Sequence, residues 1–360
     1  MAAQAQPAVI GTSACLRKLR PLLPAEAFVP YAGAYLWIAA HLCIVVAGWI
    51  GCRYLPSVWW PALSLVIGNS FAALSCFAHD VSHGTVTQNR YLYYPTELVL
   101  WALLYMPATI WRRIHGSHHA HVNSDLDPDR RFLPTELTLG ARIFSLAFIP
   151  NKTLRYNLIC FTYFLVYPFR HTITALLYPG ESKPSMVPAK PRYTGKDRLW
   201  IAGEVLFIVA FQYGVYLIVH KAFFWASVVP VIVTSIVASG YFFTTHSLRP
   251  VGDGRDVLGS TTSVEVPEVF DALHSNISYH VEHHMFPAMN PRYYPMVGRL
   301  IRTHFADQYH RIPILAAWSK LWRHASAATR SRSATPRDKS GSSARAPVAA
   351  MAGRPKAISN

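Results

Sequence analysis

Six long apolar stretches run along this chain, roughly Tyr31–Gly51, Val58–Phe77, Tyr91–Trp111, Leu154–Tyr178, Leu199–Val219 and Ala222–Thr245. Each approaches the ~20 residues a helix needs to cross a bilayer core. They are not equivalent. Tyr91–Trp111 is broken by Pro95, Glu97 and Pro107, and Leu154–Tyr178 carries Arg155, Pro168, Arg170 and His171. Charge at mid-bilayer is costly, so these two read as interfacial or re-entrant helices shielded by protein. Four segments remain as crossings, forming two hairpins that turn around Arg53 and Lys221.

Composition supports a membrane protein. The chain is 52% hydrophobic and only 14% charged, with a mean hydropathy of +0.19. Arg17, Lys18 and Arg20 precede a first apolar run too long for a cleavable signal peptide, which therefore reads as a retained span. The five cysteines (Cys15, Cys43, Cys52, Cys76, Cys160) form no C-x-x-C pair, which excludes an iron–sulfur or zinc-ribbon reading and gives no disulfide framework. The net charge of +16 is dispersed along membrane flanks. That suits anionic lipid head groups better than nucleic acid. The chain divides into three regions: an N-terminal cytosolic segment over 1–30, a membrane domain over 31–325, and a basic tail over 326–360. The tail is rich in Ala, Ser, Arg and Pro, and Asp338 is its one acidic residue. It is expected to be disordered.

The chemistry lies in the histidines. Eight of the 17 fall in three clusters: His79-Asp-Val-Ser-His83, His115-Gly-Ser-His118-His119 and His280-Val-Glu-His283-His284. Residues three or four apart share a helix face, so each cluster can aim its imidazoles at one point. Eight imidazoles exceed what one tetrahedral zinc takes; they suit two iron ions with positions left open for oxygen. Imidazole also suits copper and nickel, so ligand type alone does not name the metal. No H-E-x-x-H protease motif is present. His121, His246, His274, His304 and His310 are near enough in sequence to contribute.

A shared metal site requires all three clusters on one side of the membrane, which independently makes Tyr91–Trp111 a non-crossing segment. With four crossings, only Arg53 and Lys221 of the 34 basic residues fall at the far-side turns. The positive-inside rule then puts the clusters and both termini in the cytoplasm.

In order and spacing the three clusters resemble the membrane fatty acid desaturase family, from about Phe71 to Tyr294. The stretch from Leu273 through His280-Val-Glu-His283-His284 to Met-Phe-Pro287 resembles that family's last histidine box and aromatic-proline turn. The segment from His119 to Asp129 is similar to the one just beyond the family's second box. The resemblance implies an all-α integral membrane protein, with four transmembrane helices, interfacial helices and a cytosolic helical cap carrying a non-haem di-iron site. The implied ligands are His79, His83, His115, His118, His119, His280, His283 and His284. His246, at the cytosolic end of the final span, takes the place of a ninth. His274 stands beside the site. Asp80, Glu282 and Asp125 are candidates to accept the outer N–H of ligating imidazoles, whereas Asp127-Pro-Asp129 reads as a turn.

The implied reaction is desaturation of a lipid acyl chain, with two irons as cofactor, O₂ as co-substrate reduced to water, and a narrow apolar tunnel fixing the carbon attacked. The H-x3-H first box differs from that of stearoyl-type acyl-CoA desaturases, and His280 in place of Gln argues against the front-end class. An acyl-lipid desaturase fits these details. No His-Pro-Gly-Gly haem motif is present, so electrons are expected from a separate ferredoxin or cytochrome b5 type donor. A carotenoid ketolase or hydroxylase shares the box pattern and is the alternative. A histidine-rich metal transporter is the non-enzymatic one, but its path would need intramembrane ionisable residues, of which Glu204 is the main acidic example.

Overall fold

The computed structural model describes residues 11–130, 152–178, 180, 191–252 and 254–323; the expected tail over 326–360 lies outside them. Helix α1 spans Thr12–Leu19, α2 Ala34–Tyr54, α3 Trp60–Ser82, α4 Arg90–Ala102, α5 Ala108–Ala120, α6 Lys152–Leu177, α7 Gly195–Val219 and α8 Val229–Ser247. Then come α9 (Val257–Ser260), strand β1 (Ser263–Glu265), α10 (Glu268–Leu273), α11 (His280–Met285), α12 (Tyr294–His304), strand β2 (Arg311–Pro313) and α13 (Ile314–Arg323). β1 and β2 pair in parallel, Val264 opposite Ile312. This small sheet qualifies the all-α expectation.

Four helical stretches are long and apolar enough to cross a bilayer: Ala34–Tyr54, Ser57–Ser82, Gly195–Ala222 and Phe224–Ser247. α2 stops because Leu55 is extended ahead of Pro56, a residue that disfavours helical backbone before it. Pro61 then sits in the first turn of α3, where its missing N–H costs nothing. In the most apolar window of Ser57–Ser82, 67% is buried, and in that of Phe224–Ser247, 59%; the figures for Ala34–Tyr54 and Gly195–Ala222 are 33% and 28%. α3 and α8 are therefore the inner pair. Their contact depends on Gly68, where a Cβ would come within 2.5 Å of Val233 Cβ and 2.9 Å of the Pro230 carbonyl. Small residues at such crossings let helix backbones approach.

The interrupted stretch Tyr91–Trp111 is two helices, α4 and α5, joined through a tight turn in which Tyr105 takes the left-handed conformation (φ 59°). Irregular backbone among apolar helices needs partners for its freed N–H and C=O groups. α7 supplies them. Glu204 accepts from the Thr109 N–H, at 3.2 and 3.0 Å, and from the Thr109 hydroxyl at 2.7 Å. Gln212 donates to the Ala102 carbonyl at 2.9 Å and accepts from Ser227, whose hydroxyl pairs with Tyr105. Two polar residues within the apolar part of α7 thus close the ends of two other helices.

Beyond α8 the chain folds into a small cap. Val281, Met285, Tyr294, Val297 and Ile301 form its apolar centre together with Cys15, Leu19, Leu23 and Ala27 of the N-terminal segment. The N-terminal segment is thus packed under the helix bearing the third histidine cluster.

Candidate metal centre

The structure brings nine imidazoles together in two groups. His79, His83, His115, His119 and His283 form one, and His118, His246, His280 and His284 the other, with the nitrogens in each within 4.8 Å of one another. His121, His274, His304 and His310 belong to neither group. The division corrects the expectation that each cluster aims at one point. Only His79 and His83 stay together; the second and third clusters are split. The reason is helical geometry. At about 100° per residue, positions four apart lie within roughly 40° of each other, whereas neighbours diverge widely. His115 and His119 therefore share a group and His118 faces the other; likewise His280 and His284 pair while His283 turns away. Each His-His dipeptide straddles the two groups.

Contacts within the groups run from Nε2 to Nε2: His79–His283 3.2 Å, His283–His119 3.0 Å, His119–His115 3.0 Å and His115–His83 2.8 Å in the first. In the second they are His118–His284 3.2 Å, His284–His280 3.1 Å and His280–His246 2.8 Å. Neutral imidazole carries one N–H and one lone pair; where a carboxylate holds that hydrogen on the outer Nδ1, as for His79 and His118, the converging Nε2 lone pair calls for a cation. Metal–nitrogen bonds of about 2.1 Å at right angles would separate neighbouring nitrogens by about 3.0 Å. The residues fit a metal ion in each group.

The outer nitrogens show how the rings are aimed. His79 Nδ1 lies 3.1 Å from Asp80, and His118 Nδ1 lies 2.9 and 2.8 Å from the two oxygens of Asp127. His283 Nδ1 is 3.1 Å from the Tyr294 hydroxyl, and His246 Nδ1 is 3.5 Å from the Ser260 carbonyl, long for a hydrogen bond. Nδ1 of His280 and of His284 are buried without a partner among the described residues. Burial and the mutual repulsion of their charges hold His83, His115, His119, His280, His283 and His284 well below the ordinary imidazole pKa. These groups are neutral and ready to ligate. Burial also disfavours charge on His118, but the Asp127 carboxylate outweighs it and holds that pKa up.

Of the candidate outer residues, Asp80 stands where expected, and Ser275 holds its other oxygen at 2.5 Å. The Asp125 side chain is 65% exposed and pairs with Arg130 at 3.4 Å. Asp127, read from sequence as part of a turn, is the carboxylate that holds His118. Its loop is held by Asn123, left-handed at φ 51°, which donates through its side chain to the His246 and Pro250 carbonyls and through its N–H to Asp127. Asn tolerates this conformation better than most residues. Glu282 is buried against Ser263 and Tyr309, and His274 faces Tyr241; neither bonds a ring of the two groups. Tyr294 and Asp127 were missed because only the folded loop brings them to an imidazole.

An apolar cavity of about 50 Å³ has His79 in its lining. Its wall is Ser75, Trp101, Leu104, Met106 and Trp111 on one side, and Phe164, Tyr167 and Pro168 of α6 on another. Val231, Thr234, Ser235, Ala238 and Phe242 complete it along α8. From Phe242 to Val231 this lining covers three turns of helix, about 16 Å. Trp111 also stacks on His115, ring centroids 4.8 Å apart.

Apolar helices of membrane length, two imidazole groups that could hold metal, and an apolar cavity with His79 in its lining are the features of a membrane protein with a candidate metal centre. A family model described as fatty acid desaturase matches residues 55–315, more than half of the chain. The chain belongs to the fatty acid desaturase family. It is 26% identical over 281 residues to the Delta(12) fatty acid dehydrogenase of Crepis alpina, covering 74% of this chain and 73% of that one. It is 24% identical to the sn-1 acyl-lipid omega-3 desaturase (ferredoxin) of Synechocystis sp., covering 77% of each. The acyl-lipid omega-3 desaturase (cytochrome b5) of the Arabidopsis thaliana endoplasmic reticulum is 22% identical, with 77% of this chain and 72% of that one covered.

Proposed function

We propose that this protein is an oxygen-dependent, di-iron acyl-lipid desaturase that introduces a double bond into a lipid acyl chain. The observation that carries this reading is the apolar cavity lined in part by His79, a member of the five-imidazole group. The names of the relatives support the lipid substrate and an external electron donor, since they include acyl-lipid desaturases served by ferredoxin and by cytochrome b5. No observation favours a carotenoid or a transported metal over an acyl chain.

The nine imidazoles of the two groups are the proposed ligands. A bound iron pair would supply activation of O₂ for removing hydrogen from unactivated CH₂ groups. The remaining work falls to the chain itself. Asp80 and Asp127 hold the Nδ1–H of His79 and His118, which leaves each Nε2 lone pair aimed inward and raises its basicity. Tyr294 fixes the His283 ring in the same way. The cavity wall replaces water with hydrocarbon contacts and lays an extended acyl chain past His79, so position along the cavity selects the carbon pair. The proposed topology is two hairpins, α2 with α3 and α7 with α8, with the metal groups and both termini on the cytoplasmic side. The basic flanks support that orientation.

The test is expression in a host lacking polyunsaturated lipids and carotenoids, followed by lipid mass spectrometry. Desaturation gives acyl chains lighter by two hydrogens, a product that His119→Ala and His283→Ala abolish. A gain of oxygen instead, or activity surviving both substitutions, overturns the reading.

A further inference from the structure

The cavity and the metal groups are joined by one chain of hydrogen bonds. Tyr167, buried on α6, lines the cavity. Its hydroxyl donates to Asp129 Oδ1 at 2.6 Å. The Asp129 N–H donates to Asp127 Oδ1 at 2.8 Å, and the same carboxylate holds His118 Nδ1. The turn that aims a proposed ligand therefore also grips the cavity wall. The Tyr167 ring also packs between Phe164 and His171, with centroids 5.8 and 4.2 Å away. Next to it, Pro168 occupies a helix interior, where it cannot donate to the backbone ladder. The wall of α6 thus lacks one ladder bond at this level and gains one from outside the helix.

We propose that Tyr167 is a positioning residue: through Asp129 it locks the α6 wall to the turn holding His118, and so sets the register of the acyl chain against the metal groups. The proposal rests on the acyl-lipid reading above. An acyl chain in an apolar cavity has no polar group at its reacting carbons, so its placement depends on the shape of the wall alone. A wall that shifts by one methylene moves a different carbon pair to His79. The hydroxyl–carboxylate bond gives the α6 side of the wall a defined direction toward the turn that holds His118.

Three variants test this: Tyr167→Phe, which removes the bond; Asp129→Ala, which does the same from the other end; and Asp129→Asn, which keeps an acceptor. Products are mapped for double-bond position, and metal content and melting temperature are measured alongside. Tyr167→Phe and Asp129→Ala should lower the ratio of main to neighbouring double-bond isomer by roughly tenfold. Asp129→Asn should restore much of it, with metal content and melting near wild type in Tyr167→Phe. An independent reading comes from a phospholipid carrying a mid-chain diazirine, photolysed in the metal-free protein and mapped by peptide mass spectrometry. Wild type should label a narrow set of cavity residues, and Tyr167→Phe a spread along α8. Unchanged isomer ratio with unchanged labelling overturns the proposal, as does wild-type labelling outside the cavity. A wild type that makes no desaturated lipid but shows the labelling shift sinks the enzymatic reading and leaves the lock standing.

Discussion

Glu204, in the middle of a membrane-length apolar helix, caps the N-terminus of the helix that bears the second histidine cluster, with both carboxylate oxygens on the Thr109 N–H. Tyr94 donates to the same carboxylate at 2.9 Å. A buried acidic residue of this kind resembles a step on an ion path when seen in sequence. In the fold it completes the hydrogen bonding of a turn between two helices, and that turn contributes Leu104 and Met106 to the cavity wall.

Replacing Glu204 with leucine should therefore destabilise the protein strongly. Two buried donors on Thr109 and the half-buried Tyr94 hydroxyl would lose their acceptor, at a cost of about 1–3 kcal/mol for each buried one stranded. Glu204→Gln, which keeps one carbonyl, should be milder. Thermal unfolding in detergent measures both, and a leucine variant as stable as wild type would refute the capping role.

Asp127 holds an imidazole, whereas Asp125, two residues earlier, pairs with Arg130. Asp127→Asn should weaken metal retention by about 10–100-fold, the usual effect of removing a carboxylate behind a ligating histidine. Asp125→Asn, at an exposed ion pair, should leave it unchanged. Competition with a chelator, read by metal content after dialysis, distinguishes them.

The three clusters and His246 were legible because their signal is local: spacings of three and four on a helix, and a histidine at the end of the last apolar run. The four helices long and apolar enough to cross a bilayer were legible for a similar reason, their length and apolarity. The assignment of His118 and His283 away from their neighbours was less so, since it needs the relative placement of three helices. Asp127 was hidden for a further reason. Its role depends on a loop shaped by Asn123 and by carbonyls more than a hundred residues later in the chain. The turn between α4 and α5 was expected as a re-entrant feature, but its partners Glu204 and Gln212 lie in a different apolar segment, and periodicity does not pair segments.

The depressed imidazoles fix a pH dependence for the metal-free protein. Six rings have folded pKa values below their unfolded value near 6.5. The unfolded chain therefore binds more protons, and stability rises with pH through this range. His118, with its pKa raised, acts in the opposite sense and is outnumbered. Chelator-treated protein should be fully stable above about pH 7 and should lose melting temperature as pH falls through 6.5 towards about 5. A melting temperature that is flat or rises on acidification would contradict the neutral-ring assignment.

The division of nine imidazoles into two groups is most directly tested by counting iron per chain by elemental analysis, in wild type and in a His246→Ala/His280→Ala variant. Those two residues belong to one group only. The expected result is two irons per chain in wild type and one in the double variant, held by the five remaining imidazoles of the other group. One metal per wild-type chain, or complete metal loss in a double variant that still melts cooperatively, would contradict two separate metal-holding groups.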